Sequence, residues 1–244
     1  MRNLLKKIVL VFFIGLAVIM QSCNSNDPAL SDIKLEMKAI TANSTINPSG
    51  RVMNTGLVFT DVVIGVTEIE FETFEENEAE DEDGEADDEE VEYEGNFVVD
   101  LIAGTSTPDF GAADLAPGIY EEMEIELEPI LDGDITMLVA FDYTPAGAME
   151  AYRYEYSTSA EMEYELEPEG GFLLDEGALN QMLVLIDLDA MFANVDLDNV
   201  DVDSDGIVRI NNTSNVSQAA QVAINLDSVM EGGEDEDGDG ELDD

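Results

Sequence analysis

The residues with the spacing to do chemistry are acidic. Asp201, Asp203 and Asp205, followed by Gly206, stand at positions 1, 3, 5 and 6 of a calcium loop, where alternate side chains and a tight glycine turn wrap oxygens around a hard cation. Position 9 is Arg209 and position 12 is Asn212, so the bidentate acid that completes an EF-hand is missing. A plain acidic loop is the competing reading. In DEDGDGELDD, Asp235, Asp237, Asp239, Gly240 and Asp243 match positions 1, 3, 5, 6 and 9. This stretch is similar to the aspartate-glycine repeats of extracellular calcium modules, which fill at about 10⁻⁴ to 10⁻³ M, and its alternative is a disordered tail. A third acidic block, residues 75–90, has no fixed spacing and reads as a solvated loop, with cation binding as its other use.

Other chemistries are excluded by what the chain lacks. It has no histidine and one cysteine, which removes Ser-His-Asp and Cys-His catalysis, His-ligated zinc, thiolate metal sites and a disulfide framework. Carboxylate chemistry is what remains for an enzyme. Glu122, Glu124, Glu126 and Glu128 form a row that invites comparison with a glycosidase pair. That chemistry needs two acids in opposed environments, and a uniform row reads as a solvated sheet face. Tyr152, Tyr154 and Tyr156 read as a core or interface stripe rather than a sugar-stacking platform. A formal net charge of −50 repels phosphate polyanions, so nucleic acid is not an expected partner. No cofactor is required on this reading, and calcium is the one that fits.

These acids must be positioned by strands. Ile33 to Ile40, Leu57 to Phe74, Asn96 to Ala103, Tyr120 to Glu128, Ile135 to Tyr143, Tyr152 to Tyr156, Met162 to Glu167 and Asn180 to Leu188 alternate or run apolar at strand length. Gly65 suits a bulge in the longest of them. Asp132-Gly133 predicts a hairpin between the Tyr120 and Ile135 strands. Ser214 to Met230 has helical spacing, with Val216, Ala219, Ala220, Ala223, Ile224 and Leu226 on one stripe and Ser214 or Asn212 as N-cap. The fold class expected is mainly β: an antiparallel β-sandwich of about eight strands with one C-terminal helix and acidic loops.

The address lies in MRNLLKKIVLVFFIGLAVIMQSC. Arg2, Lys6 and Lys7 precede a thirteen-residue apolar run, Ile8 to Met20, and then Ser22 and Cys23. At 1.5 Å per residue such a run covers about 20 Å of a roughly 30 Å hydrocarbon core, too little for a permanent span. The pattern resembles a bacterial lipoprotein signal with its lipobox. That resemblance implies cleavage before Cys23 and acylation of Cys23, and several acyl chains anchor stably where one does not. An ordinary secretory signal with an incidental cysteine is the alternative. Removing three of the eight basic residues with the signal leaves five against 58 Asp and Glu.

The succession VVIGVTEIEFE, an acidic insertion, NFVVDLIAG and ADLAPGIYEEMEIELEP resembles a domain of unknown function frequent in bacterial surface lipoproteins. Asp100-Leu101-Ile102 fits its second element and Leu115 to Tyr120 its third, over a span of Ile33 to Val195. The resemblance implies no catalytic residue. The organisation expected is signal peptide 1–22, tether 23–31, β-sandwich 32–195, acidic loop plus helix 196–230, and acidic disordered tail 231–244.

The function expected is that of an exported, membrane-anchored lipoprotein, not an enzyme, presenting an acidic binding or structural module that calcium stabilises. Its partners are the bilayer, through acylated Cys23, and a glycan or protein at the envelope. Its place is the cell envelope, at the outer membrane. A carboxylate-dependent glycosidase, or a subunit of a surface fibre or uptake complex, is the alternative.

Overall fold

The computed structural model describes residues 31–41, 52–54, 56–73, 91–110, 112–167, 171–174, 179–235 and 238–243. The signal stretch, Cys23, the 75–90 acidic block and Asp237 lie outside them. The protein is mainly β, with fourteen strands and two helices among the described residues. The axis of the larger, ten-stranded sheet is β3 (Leu57–Thr73), seventeen residues in which Phe59, Val62, Ile64, Val66, Ile69 and Phe71 point into the core.

Along one edge of β3 lie β2 (Val52–Asn54) and then β4 (Val91–Asp100). Along the other lie β8 (Met137–Tyr143), opposite residues 57–64, and β7 (Gly118–Leu127), opposite residues 66–73. Thus β7 and β8 follow one another along the same neighbour. The hairpin expected between them is absent. The Asp132-Gly133 turn instead reverses a short excursion closed by a Leu131–Ile135 bridge.

Gly65 is the reason the chain can do this. Its carbonyl accepts the Glu128 N–H at 3.1 Å and its own N–H donates to the Thr136 carbonyl at 2.8 Å, so both ends of the excursion are tied to one residue. A Cβ there would stand 2.4 Å from Ile130 Cγ1 and 2.8 Å from the Glu128 carbonyl oxygen. The register shift itself falls one step later, between Val66 and Glu68. A third interrupted line, β9 (Tyr152–Thr158), β10 (Met162–Leu166) and β11 (Phe172–Leu174), pairs first with β8 and then with β7. The Tyr152 and Met162 strands, though consecutive, therefore do not pair with each other.

The smaller sheet has the order β14-β12-β1-β6, built from β1 (Ser31–Ile40), β6 (Ala112–Leu115), β12 (Leu179–Asp187) and β14 (Met230–Glu234). Here β1 and β12 run parallel, and so do β9 and β13 (Ile207–Ile210), which makes the sheets mixed rather than purely antiparallel. One continuous apolar core joins the layers in a sandwich-like arrangement, with Ile33, Met37, Met182, Val184 and Ile186 from the smaller sheet packed into it. β14 runs from Met230, the last residue of the stretch expected as loop plus helix, into the first four residues of the stretch expected as acidic disordered tail. Thr105–Thr107 forms β5 beside β4.

Helix α1 (Leu188–Met191) is a single turn whose N-cap, Asp187, accepts the Asp189 and Ala190 N–H groups at 2.8 and 3.1 Å. Helix α2 (Val216–Leu226) starts at Asn215, held in the left-handed region at φ 49°, and neither Ser214 nor Asn212 caps it. Its buried face is Gln218, Val222 and Leu226, whereas Val216 and Ile224 of the expected stripe are 53% and 66% exposed. Polar bonding turns the helix. Gln218 Nε2 donates to the Asp196 and Asn199 carbonyls, and Asn225 Nδ2 to those of Met191 and Ala193. Among the described residues no helix is long and apolar enough to cross a membrane.

Candidate functional site: a glutamate sheet face

Strand alternation places glutamates on the outer face of four neighbouring strands, and the register lines them up. Glu94, Glu68, Glu126 and Glu163 are successive cross-strand partners along β4-β3-β7-β10, and Glu92, Glu70, Glu124 and Glu165 make the next row. Glu72 and Glu122 begin a third, where Glu167 approaches Glu122. Strands about 4.8 Å apart with a two-residue repeat of about 6.7 Å turn these rows into a grid of carboxylates. Opposite them, Ile69, Phe71, Met123, Ile125 and Leu127 fill the core, so the outer side chains cannot rotate inward without emptying it.

Like charges directly opposite one another are destabilising. In three places, Glu68 with Glu70 and Glu92, Glu122 with Glu165 and Glu167, and Glu124 with Glu126 and Glu163, carboxylate oxygens lie within 4.8 Å of one another. Partial desolvation in the crowded row, and then the charges of Glu163, Glu70, Glu126 and Glu122, push the Glu124 carboxyl up to about 7. Glu68 and Glu122 are raised by the same causes, desolvation first and acidic neighbours next.

The described cations are all engaged elsewhere. Lys34 and Lys38 pair with Glu36, Arg153 with Asp61 and Glu155, and Arg209 with Glu155, Asp203 and Asp205. The arrangement can therefore do one thing well: it can gather protons or multivalent cations from outside. Hard cations that accept six to eight oxygens in flexible geometry suit it best.

The acidic loops differ from one another. Around Asp201 to Gly206 the turn forms, with Gly206 at φ 85° and its N–H donating to the Asp203 carbonyl at 2.9 Å. Asn215 fastens it, donating to the Asp201 and Arg209 carbonyls and accepting the Asp201 N–H. Arg209 then places its guanidinium 2.6 Å from Asp203 and 2.8 Å from Asp205. Its hydrogen bond holds the Asp205 carboxyl below the usual carboxylate range, and the guanidinium is raised in turn. Arg209→Gln should therefore lower the melting temperature and enlarge its shift with calcium relative to the wild type, which scans of both proteins with and without about 1 mM calcium would check. A calcium shift no larger in this variant than in the wild type contradicts the role of Arg209 as the loop's own cation.

In the second loop Asp235 is 2% exposed, whereas Asp239 lies on the surface side of the turn, its Oδ1 accepting the Glu241 N–H at 2.9 Å. Of the tyrosine stripe, Tyr154 and Tyr156 are core and Tyr152 is exposed. Tyr154 donates its hydroxyl to the Leu197 carbonyl at 2.9 Å.

Sequence reading singled out the β7 row but not the grid. Glu92 and Glu94 were missed because β4 begins at Val91, five residues ahead of the expected Asn96 start. The signal was present in VEYEG, whose alternating acids match those of β3, β7 and β10. Glu128, counted in the expected row, stands beyond the end of β7 at the Gly65 crossing.

No protein-family model, curated protein or solved structure matches the chain.

Proposed function

We propose that the chain is a lipid-anchored protein of the bacterial cell envelope, held at the outer membrane through acylated Cys23, whose domain is a non-catalytic module that binds multivalent cations across its glutamate face. The observation that carries this reading is the register of Glu68, Glu70, Glu92, Glu94, Glu124, Glu126, Glu163 and Glu165 on four adjacent strands. The face has no countercharge of its own among the described residues, so its ligand is cationic. A basic protein, or a glycan held through shared calcium, is the partner class such a face suits. The same chemistry serves a subunit of a surface fibre or uptake complex, where calcium would bridge like-charged neighbours.

The raised Glu124 carboxyl is the one feature that favours a glycosidase-type enzyme. Two facts weigh against it. The cavity beside that acid, between Glu126, Glu128, Glu161 and Glu163, is about 180 Å³, below the roughly 300 Å³ at which ligand pockets begin. The larger cavity, about 660 Å³ between Ile135, Thr158, Asn211 and Ala219, carries Asp134 as its single acid.

Two experiments test the proposal. Metabolic labelling with a palmitate analogue should mark the wild type and not Cys23→Ala, and equal labelling of both removes the anchor. Calcium at about 1 mM should raise the melting temperature of the detergent-solubilised chain more than sodium chloride of equal ionic strength. Equal shifts would mean simple screening and would overturn cation binding by the face.

A further inference from the structure

The cavity of about 660 Å³ beside helix α2 is separate from the glutamate face, and its size falls within the roughly 300–1,000 Å³ of ligand pockets. One wall is the end of β9. Strand β13 pairs with β9 from Arg153 to Tyr156, where Ile210 is its last residue, whereas β9 runs on to Thr158. Beyond Ile210 the chain leaves the sheet: the Asn211 N–H donates to the Ser214 carbonyl at 2.8 Å, and the Asn211 side chain accepts the N–H groups of Thr213 and Ser214. Ser157 and Thr158 therefore pair with Leu138 and Met137 of β8 on one side and, among the described residues, with no strand on the other. A strand edge of this kind presents main-chain donors and acceptors for a further strand.

The facing wall is the helix. Val216, Ala219, Ala220 and Ala223 line the cavity, four of the six residues on the stripe whose spacing predicts a buried apolar face. Gln218 and Asn225 bond to carbonyls in the 191–199 segment and so turn that stripe toward the end of β9. The alanines keep the wall low, which leaves room for an extended chain between helix and strand. Charge narrows the choice of chain. Asp134 is the one charged residue of the lining, in a molecule of net charge −50, so an acidic segment is repelled and a basic end is attracted.

We propose that this slot takes an extended segment of a partner protein, added as a strand along Ser157 and Thr158 in the line where β13 stops, with small apolar side chains against α2 and a lysine or arginine toward Asp134. Main-chain hydrogen bonds to β9 supply the affinity, and alternate side chains supply the selectivity. Residues that face the helix meet Val216, Ala220 and Ala223, which suits alanine or valine and not a charge. The exposed stripe of α2 is thereby covered by the partner rather than by the chain's own sheet.

The test is hydrogen exchange read by mass spectrometry on the full chain in detergent. The probe is a synthetic seven-residue peptide of alternating valine and threonine that ends in a lysine amide. Its twin is N-methylated at every amide, which keeps the side chains and removes the strand's hydrogen bonds. At about 1 mM of the first peptide, amides of residues 156–160 should exchange roughly tenfold more slowly, with β3 unchanged, and the methylated twin should protect them less than about twofold. Ala220→Arg, at an exposed helix position, lays a long side chain across the slot and should remove the protection while leaving the melting temperature within about 2 °C. Replacing Glu124, Glu126 and Glu163 by glutamine should leave the protection intact, which separates this slot from the glutamate face. Exchange at 156–160 that the peptide does not slow in the wild type, or that slows equally with the methylated twin or in Ala220→Arg, overturns the proposal.

Discussion

Replacing Glu124, Glu126 and Glu163 together by glutamine should raise the melting temperature by roughly 5 °C at about pH 8 and low salt, on a scale of about 2–4 °C per kcal/mol. The direction is opposite to that of most multiple substitutions, and it follows from the grid. The three carboxylates meet within 4.8 Å, on strands whose inner residues prevent them from turning away. Glutamine keeps the length and the exposed polar end while removing the repulsion.

The pH dependence has the same origin. Glu124, with its carboxyl pushed up to about 7 from 4.5, binds a proton more tightly folded than unfolded. Its stabilising contribution is therefore complete below 4.5 and is lost as the pH rises through about 7. Glu68 and Glu122 add to this with the same sign. Asp61 and Asp205 act oppositely: both are lowered from 3.8 by hydrogen bonds from Arg153 and Arg209, and their contribution is lost as the pH falls through their folded values. Wild-type stability should thus be greatest in mild acid, near pH 5, and the triple variant should lose most of the rise between about pH 8 and pH 5. A triple variant less stable than the wild type at high pH and low salt contradicts the repulsive grid.

The largest loss is expected at Gly65. Gly65→Ala drives a methyl to 2.4 Å from Ile130 Cγ1 and 2.8 Å from the Glu128 carbonyl oxygen. The first neighbour is a side chain that could shift; the second is a backbone oxygen that accepts the Ile130 N–H, on a residue whose own N–H is bonded to the Gly65 carbonyl. Relief requires separating β3 from the start of the excursion, and with it the junction between β7 and β8. A cost of about 3 kcal/mol or more, or a drop of roughly 6–12 °C, is expected by thermal or urea unfolding. Gly118→Ala is the control, since no atom lies within 4 Å of its added Cβ, and it should stay within about 0.5 kcal/mol. Equal behaviour of the two variants would remove Gly65 as the crossing point.

These two sites show how far local pattern carries. Alternation in MEIEL and EIEFE revealed strands and their inner faces, because period two is a property of the strand alone. It also put acids on the opposite side. Which acids face one another depends on register, and register here is set by Gly65, where a single residue hands the edge of β3 from β8 to β7. That is a long-range contact with Glu128, Ile130 and Thr136, and no local signal marks it. The Asp132-Gly133 dipeptide was read rightly as a turn and wrongly as a hairpin, since turn chemistry does not say how much chain the turn reverses.

The helix teaches the same lesson. Val216 and Ile224 look like a buried stripe, but Gln218 and Asn225 find four carbonyl acceptors below the helix and rotate it. In the loops, spacing located two aspartate-glycine turns, while only the folded chain distinguishes a turn neutralised by Arg209 from one with a buried oxygen at Asp235.

Cation binding by the glutamate face is read from the number of calcium ions held by the full chain, counted by equilibrium dialysis at about pH 7.5 and about 1 mM free calcium. The wild type should hold several ions, and the Glu124, Glu126 and Glu163 to Gln variant should hold fewer. Equal counts in the two proteins, or one ion in both, would contradict a cation-binding role for the glutamate face.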